Sequence, residues 1–429
     1  MSWGWGMSEF PENWTQVLLS EIAEIEMGQS PDSRSYNDEG IGIPFFQGKA
    51  EFGKLYPTVR KWCTVPKKIA EEGDILLSVR APVGPTNLAA EMCCVGRGLA
   101  AIRAETPINQ KYLLHYFRSI EPWLSQQGTG TTFTAIGGAF IRNLDVPLAP
   151  LPEQKRIADK LDALLGRVDT CQAHLARVPE ILKRFRQSVL AAATSGRLTE
   201  GWRNEVKKNW GTHKLEELCS RVSVGHVGTT SKYYTSADEG IPFLRSQNIR
   251  PGKVDLSGLV YITRDFHNHL KKSQLQAGDL LIVRVGANRG DTCVLPSGFT
   301  EINCANIVFA RPTKIFPAYL GLFFQSPSTQ EEMLGKTVGG AQGVINTGVI
   351  GKIYVDVPPL EEQHEIVRRV ERLFAFADRL EVRWQVAQAR VGQLTPSLLA
   401  KAFRGELVEQ REGEESAGRL VERGREGRR

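Results

Sequence analysis

Two long stretches of the chain carry apolar residues at alternating steps of four and three. They span residues 151–200 and 360–409. An apolar repeat sustained over about four heptads predicts a coiled-coil seam, with the intervening charged residues on a solvated face. The predicted seam residues are Ile157, Leu161, Leu164, Val168, Leu175, Leu182 and Phe185 in the first stretch, and Ile366, Val370, Leu373, Leu380, Trp384, Val391 and Leu394 in the second.

Prolines and glycines indicate where these helices are interrupted or end. Pro179 and Pro396 fall within the repeats, and each is expected to end one helical stretch and to start or kink the next. Gly196 and Gly405 are suited to C-terminal caps. Each arm is then about 40 residues long, or ~60 Å at ~1.5 Å per residue.

The chain contains an internal repeat. Leu151, Glu153 and Gln154 correspond to Leu360, Glu362 and Gln363, and the block of sequence before each helix also repeats, more weakly. Residues 73–80 correspond to 278–284, whereas the sequences between such anchors diverge. A shared scaffold with different loops is expected of two domains that have one fold but recognise different targets. The order globule–helix–globule–helix gives a pseudo-two-fold arrangement if the helices lie antiparallel.

Each globular block is expected to mix strands and helices. Gly-Asp followed by an apolar run at 73–80 and 278–284 predicts a turn into a buried strand. Further strands are expected within 86–102 and 292–310, and helices within 107–126 and 317–334, with their aromatic residues in the core. The predicted fold class is therefore α+β, with two tandem mixed α/β domains joined by two long antiparallel coiled-coil helices.

Composition narrows the classes of function. A length of 429 residues favours two or three domains, and the net charge of +6 permits binding to a polyanion. No stretch approaches 18 consecutive apolar residues and no signal peptide is evident, which favours a cytoplasmic protein. The seven cysteines show no paired spacing and are interpreted as buried thiols, so no metal site is expected in this chain.

The sequence at the start of each helix points to a family. Val-Pro-Leu-Ala-Pro-Leu-Pro-Glu-Gln occupies 146–154, and Val-Pro-Pro-Leu-Glu-Glu-Gln occupies 357–363. The stretches 185–193 and 402–407 add to this pattern. With its two tandem blocks, the chain resembles the DNA specificity subunits of type I restriction–modification enzymes over nearly its whole length.

The resemblance implies a domain plan and a set of partners. It implies target recognition domains at 12–150 and 208–356, and helical regions at 151–207 and 357–410, with an N-terminal extension at 1–11. The charged tail at 411–429 is expected to be disordered. Each domain would read half of an asymmetric double-stranded DNA site, and the helices would set the gap. Two modification subunits, and restriction subunits, would dock on this chain, so S-adenosylmethionine, ATP and Mg are expected in the partners.

Missing motifs agree with a non-catalytic subunit. The chain has no Asn/Asp-Pro-Pro-Tyr motif for adenine methylation and no G-x-x-x-x-G-K-[ST] loop for ATP. Pro31-Asp32 followed by Gln47-Gly48-Lys49 faintly resembles a nuclease pattern, but the second block lacks the lysine. Two other classes stay open: a coiled-coil scaffold or dimerisation protein without DNA reading, and a nucleotide-modifying enzyme.

Polar, glycine-rich loops that differ between the two blocks are the candidate DNA-binding segments. Glutamine and asparagine can bind adenine edges, and arginine or lysine can bind guanine. Arg80 and Arg284 follow equivalent strands, and their shared position favours phosphate contact. The other candidates are Ser30, Ser33, Arg34, Tyr36, Gln47, Lys49, Thr129, Thr131 and Thr132 in the first block, and His226, Thr229, Thr230, Lys232, Tyr233, Arg245, Gln247, Asn248, Gln342 and Asn346 in the second.

Overall fold

The computed structural model describes residues 10–127, 135–206, 209–335 and 343–426. The chain divides into two compact units: the first comprises residues 1–175 with 386–429, and the second comprises residues 176–385. Each unit therefore contains one globular block together with parts of both predicted helical arms.

The first unit begins with a globule of short strands. Its helices are α1 (Gln110–Gln127), α2 (Gly138–Arg142) and α3 (Leu151–Leu175). Its strands are β1 (Thr15–Leu18), β2 (Ala23–Met27), β3 (Tyr36–Asn37), β4 (Ile43–Phe46), β5 (Trp62–Cys63), β6 (Ile69–Ala70), β7 (Ile75–Ser78), β8 (Thr86–Leu88), β9 (Cys93–Val95), β10 (Leu99–Ala104) and β11 (Asp145–Leu148).

Two larger sheets and the two-stranded sheet of β1 and β11 build this globule. Strands β2, β10, β7 and β8 lie side by side as an antiparallel sheet, and β3, β5, β4, β9 and β6 form the second sheet, in which β4 and β9 are parallel. Neighbouring residues of a strand point to opposite faces. Ile75 and Leu77 pack in the core with α1, whereas Leu76 packs in a second core with Phe46. Both faces of β7 are buried, which accounts for its run of three successive apolar residues, Ile75 to Leu77.

The second unit repeats this plan. Its helices are α4 (Val178–Thr194), α5 (Glu200–Val206), α6 (Leu215–Leu218), α7 (Arg264–His269), α8 (Pro317–Gln325), α9 (Pro327–Gly335), α10 (Thr347–Gly351) and the first part of α11 (Leu360–Phe403). Its strands are β12 (Gly211–Lys214), β13 (Cys219–Val224), β14 (Tyr234–Thr235), β15 (Ile241–Leu244), β16 (Ile249–Arg250), β17 (Lys253–Val254), β18 (Val260–Ile262), β19 (Leu280–Val283), β20 (Thr292–Val294), β21 (Asn303–Cys304), β22 (Ile307–Pro312) and β23 (Tyr354–Val357).

The sheet orders of the two units correspond. Strands β13, β22, β19 and β20 form the antiparallel sheet, and β15 pairs in parallel with β21 in the other sheet, as β4 pairs with β9. The predicted Gly-Asp turns occur in both units, with Gly73 at φ 86° and Gly278 at φ 87°. The predicted α+β class with tandem, similar globules is therefore confirmed.

The helical arms run antiparallel within each unit. In the second unit, Arg186 lies 2.7 Å from Asp378, and Thr199 lies 2.7 Å from Glu362. Residues later in the first arm therefore pair with residues earlier in the second arm. In the first unit, Glu153 contacts Gln410, while Leu165 and Thr395 line one cleft. The predicted fold class included this antiparallel pairing of the two helical arms.

Burial along the predicted seam is graded. Ile157, Leu161, Ile366 and Val370 are fully buried, and Val168 and Leu182 are nearly so. Leu164, Leu175, Phe185, Leu373, Leu380, Trp384 and Val391 are half-buried. Leu394 is 43% exposed, so its assignment to the seam was wrong. The globules cover the seam where each arm enters its unit, whereas a pair of helices alone buries only a narrow stripe.

The predictions for the prolines within the helices were only partly correct. Pro179 lies in the first turn of α4, just after the break that follows α3, as predicted. Pro396 lies inside α11, which continues to Phe403, so it ends no helix. Buried Leu399 and Phe403 hold this last part of α11 against the first unit, and packing outweighs the one lost hydrogen bond. Pro327 starts α9 and divides the single helix expected at 317–334.

The charged tail is ordered where the structure describes it, and the prediction of disorder was wrong. Helix α12 (Ala417–Glu426) buries Ala417, Leu420 and Val421 in the core of the first unit. The Ala417 amide donates to the Asn13 carbonyl, and Arg156 binds Glu414 at 2.5 Å. Leu420 and Val421 lie three and four residues after Ala417, and so short an apolar face is easily overlooked among charged neighbours.

The repeated Glu-Gln motif joins each helix to its globule. The buried Glu153 carboxylate accepts hydrogen bonds from Trp14 Nε1 at 3.0 Å and Gln410 Nε2 at 2.6 Å. Burial raises the pKa of Glu153, while these two donors lower it. Gln154 Oε1 accepts a hydrogen bond from the backbone N–H of Asn109 at 2.9 Å, and Gln154 Nε2 donates one to the Ala149 carbonyl. The motif therefore anchors the start of α3 to the globule through hydrogen bonds.

Candidate nucleic-acid interface

A cleft of about 960 Å³ opens where several strands of the first unit end. Loops that follow β2, β4 and β7 meet there with the turn between β9 and β10. We call it the first cleft, and its lining residues are Ser30, Tyr36, Gln47, Gly48, Lys49, Ala50, Glu51, Ser78, Arg80, Ala81, Pro82, Arg97 and Gly98.

A smaller cleft of about 360 Å³ occupies the corresponding place in the second unit. Loops that follow β13, β15 and β19 meet the turn between β21 and β22. We call it the second cleft, and its lining residues are Gly228, Thr230, Arg245, Ser246, Gln247, Val285, Gly286, Ala287, Asn288, Ala305 and Asn306. The same strand ends thus carry different polar side chains in the two units.

The structure brings together many of the predicted DNA-binding residues. Ser30, Tyr36, Gln47, Lys49 and Arg80 line the first cleft, and Thr230, Arg245 and Gln247 line the second. The linings do not include Ser33, Arg34, His226, Thr229, Lys232, Tyr233, Asn248, Arg284 and Asn346. Loops far apart in sequence therefore converge in each unit, although only part of each loop faces a cleft.

The third pair of predicted loops lies mostly outside the described residues. Thr129, Thr131, Thr132 and Gln342 belong to the segments that the structure does not describe. The described residues that follow these segments lie beside the arginines at the strand ends. Ala135 forms a β-bridge with Arg80, and the Ile345 amide donates to the Arg284 carbonyl at 3.2 Å.

Some predicted contact residues instead hold their own loops together. Asn248 is 0% exposed; its Oδ1 accepts from the Arg245 amide, and its Nδ2 donates to the Asp255 carbonyl. Asn248 therefore cannot present its amide to a base edge without unfolding the loop, and that prediction was wrong. Asn346 caps α10 by accepting from the Val349 amide at 2.9 Å. Its side chain thus has a structural role.

The aromatic and hydroxyl candidates are also tied to neighbours. The Tyr233 ring stacks on Phe266 with centroids 3.7 Å apart, and the Tyr36 ring lies 5.2 Å from Phe45. The Thr230 and Tyr234 hydroxyls form a hydrogen bond of 2.9 Å. Tyr36 and Thr230 line the clefts, whereas Tyr233 lies outside both linings. All three side chains hold their loops in place more than they offer groups to bases.

The two clefts differ in charge. Lys49, Arg80 and Arg97 are exposed cations of the first cleft, and Glu51 accepts a hydrogen bond from the Gly48 amide at 3.1 Å. Arg245 is half-buried in the second cleft, where it donates to the Gly258 carbonyl at 3.0 Å. Such cations suit phosphates or guanine edges, and the amides of Gln47 and Gln247 suit adenine.

Sequence reasoning missed two residues at the corresponding turns. Arg97 and Asn306 each follow the parallel-paired strand of their unit and line its cleft. The signal that could have revealed Arg97 is its position between Gly96 and Gly98, which indicates a tight turn. Asn306 offers only a weak signal, because asparagine is one of the residues that tolerate positive φ.

The described residues give no indication of metal or membrane chemistry. Within residues 10–127, 135–206, 209–335 and 343–426, no group of three or more metal-ligating side chains occurs. No described helix is long and apolar enough to cross a membrane. Burial raises the pKa of Cys93 and Cys293 to about 12, as expected for inert thiols, whereas Cys171 is exposed, contrary to the prediction of burial.

Comparison with known proteins identifies relatives over most of the chain. The chain is 36% identical over 351 residues to the EcoKI specificity subunit from Escherichia coli K12, covering 77% of this chain and 74% of that relative. It is 29% identical over 443 residues to the EcoBI specificity subunit from Escherichia coli, covering 97% and 93%. The second of these matches spans nearly the whole chain.

Solved structures share the fold. The HsdS subunit from Thermoanaerobacter tengcongensis superimposes with a TM-score of 0.61 at 21% identity, over 93% of this chain and 98% of that one. A chain from a structure of a type I restriction–modification system gives a TM-score of 0.68 at 21% identity, over 93% and 99%. The family model "Type I restriction modification DNA specificity domain" matches residues 11–179 and 207–383. The chain therefore belongs to the family of type I restriction–modification DNA specificity subunits.

Proposed function

We propose that each cleft reads one half of a bipartite, asymmetric DNA site. The observation that carries this proposal is the pair of clefts at equivalent strand ends, built on one scaffold but lined by different polar side chains. Divergent loops on a rigid scaffold are the usual way to vary recognition without altering the fold. The helical arms would set the spacing between the half-sites.

The chemistry would belong to partner subunits. Two modification subunits would bring S-adenosylmethionine, and restriction subunits would bring ATP and Mg. Several large apolar side chains are exposed on the helices, and a partner that packed along the helices would remove them from water. Examples are Ile181 on α4 and Phe376, Val382 and Leu394 on α11. In this proposal the chain itself is non-catalytic.

The first test separates this chain from its partners. We expect the purified chain alone to transfer no methyl groups, and to direct adenine methylation at a defined sequence once modification subunits and S-adenosylmethionine are added. Incorporation of labelled methyl groups into DNA measures both. Robust transfer by the chain alone would contradict the assignment of catalysis to the partners.

The second test exchanges one of the two recognition domains. Replacing residues 208–356 with the corresponding domain of another specificity subunit should change one half of the methylated motif and leave the other half as it was. The expectation follows because each cleft is built from residues of a single unit. Methylome sequencing of cells that carry the chimera and its modification subunits gives the motif. Changes in both halves would show that the readers are not independent.

A coiled-coil scaffold without DNA reading is the alternative function. The paired helices support it equally well, but it leaves the two polar clefts without a role. A gel shift with a random DNA library, with and without the modification subunits, distinguishes the two. Enrichment of a bipartite sequence is expected here, whereas a scaffold would enrich none.

A further inference from the structure

The turn between β9 and β10 is held tightly against the loop that contains Gln47. The Gly96 amide donates to the Phe46 carbonyl at 2.8 Å, and the Leu99 amide closes the turn on the Gly96 carbonyl at 3.0 Å. The Arg97 amide donates to Ser30 Oγ at 3.4 Å. The backbone of Arg97 is thus fixed between two of the loops that line the first cleft.

Glycines on both sides of Arg97 make this close approach possible. A Cβ at Gly98 would lie 2.1 Å from the Gln47 carbonyl oxygen, which no side chain could tolerate. A Cβ at Gly96 would lie 3.2 Å from both Gln47 Cγ and the Phe45 ring. The turn therefore sets Arg97 beside Gln47 with little freedom of the backbone.

The Arg97 side chain is free to bind a ligand. It is exposed, and among the described residues its guanidinium has no hydrogen-bonding or ionic partner. Arg103, on the adjoining strand β10, shows the opposite case, since Asp74 binds it through two hydrogen bonds of 2.8 Å. An unpaired guanidinium on a fixed backbone offers its two parallel N–H donors to a bidentate acceptor.

Asn306 occupies the equivalent turn of the second unit. The pairing of Phe46 with Val95 corresponds to that of Leu244 with Cys304, and the Ala305 amide donates to the Leu244 carbonyl as Gly96 does to Phe46. The residue that follows is Arg97 in one unit and Asn306 in the other.

The backbone of Asn306 is also fixed. Its φ is 55°, its amide donates to the His226 carbonyl at 3.1 Å, and its carbonyl accepts from Ser246 Oγ at 3.1 Å. Within the part of the chain that the structure describes, the Asn306 side-chain amide has no hydrogen-bonding partner. It can therefore offer one donor and one acceptor together to a ligand in the second cleft.

We propose that Arg97 and Asn306 are specificity-determining residues, with Arg97 selecting guanine in one half-site and Asn306 selecting adenine in the other. Guanine presents two acceptors, O6 and N7, in the major groove, which match the guanidinium fork. Adenine presents the N6 donor beside the N7 acceptor, which match an asparagine amide. This inference rests on the proposed reading of one half-site by each cleft.

The experiment compares Arg97→Ala and Asn306→Gly, each in the full chain co-expressed with its modification subunits. Glycine is chosen at 306 because it keeps the positive φ while removing the amide. Arg60→Ala removes the same charge from an exposed loop residue that lies outside the first cleft and is not among the candidate DNA-binding residues, and it serves as the matched control. Co-purification with the modification subunits shows that each variant is folded, and methylome sequencing gives the base preference at every position.

We expect Arg97→Ala to relax the preference for one guanine by roughly 10- to 100-fold, in the half-site that the first unit reads. Asn306→Gly should relax one adenine in the other half-site by a similar factor. Arg60→Ala should leave the motif unchanged. Each variant should leave the half-site of the other unit intact.

Three results would overturn the inference or its basis, and they can be told apart. A uniform fall in methylation with an unchanged motif would mean that the two residues contact phosphates. Unchanged methylation and motif in both variants would exclude any reading role. Either result would overturn the inference and leave the bipartite reading standing, whereas a wild-type complex without a bipartite motif would refute the proposed function itself.

Discussion

Replacing Phe403 with alanine is expected to destabilise the first unit by about 3–5 kcal/mol, the usual cost of truncating a fully buried aromatic side chain. Phe403 ends α11 and is 1% exposed. Its ring lies 5.2 Å from that of Tyr112 and 5.8 Å from that of Tyr116. Both tyrosines belong to α1, so the end of α11 is part of the core beneath the first globule.

Urea denaturation of the full chain, followed by circular dichroism, measures this loss. Phe376→Ala is the matched control, since Phe376 lies on the same helix but is 47% exposed. Its expected cost is below about 1 kcal/mol, because a partly solvated side chain leaves no closed cavity. Similar costs for the two variants would mean that Phe403 does not join α11 to the core in solution.

Replacing Glu362 with alanine should destabilise the second unit by about 3–5 kcal/mol, as expected when one partner of a buried ion pair is removed. Glu362 is 0% exposed and accepts hydrogen bonds from three groups. These are the Thr199 hydroxyl at 2.7 Å, Trp210 Nε1 at 2.9 Å and Arg203 Nε at 3.0 Å. The substitution leaves three donors without their acceptor, including a largely buried guanidinium.

Glu371→Ala is the matched control, because this glutamate lies exposed on the same helix. Its expected effect is within about 0.5 kcal/mol. The double variant Glu362→Ala/Arg203→Ala should recover part of the loss, since no unpaired cation is left buried. If Glu362→Ala costs no more than Glu371→Ala, the carboxylate does not hold these donors in solution.

The apolar periodicity was sufficient to predict the helical arms because a seven-residue repeat has few alternative structures. The glycines at 196 and 405 were predicted to cap the C-termini of helices, and both adopt φ 76°. Pro396 was misinterpreted because local propensity disfavours proline in a helix, whereas the packing of Leu399 and Phe403 outweighs that penalty. The tail was misinterpreted because composition alone conceals a short apolar face on α12.

Glu153 and Glu362 show a second limit. Their repetition in the sequence indicated a shared element, but the sequence does not reveal that each accepts a hydrogen bond from a tryptophan far earlier in the chain. A buried carboxylate requires donors, and those donors can come from any element that the fold brings near. The role of the motif became evident only with the tertiary contacts.

The loops proposed to read DNA show most clearly what the sequence could and could not predict. Divergence between the two copies, together with polar and glycine-rich composition, was enough to select Gln47, Arg80 and Gln247 from the sequence. It could not exclude Asn248, whose amide is used inside its own loop, nor include Arg97 and Asn306. The repeat and the helical periodicity are local properties of the chain, so the sequence by itself determined the tandem architecture. Which side chains share a cleft depends on the pairing of β4 with β9 and of β15 with β21, contacts between distant segments that only the tertiary structure decided.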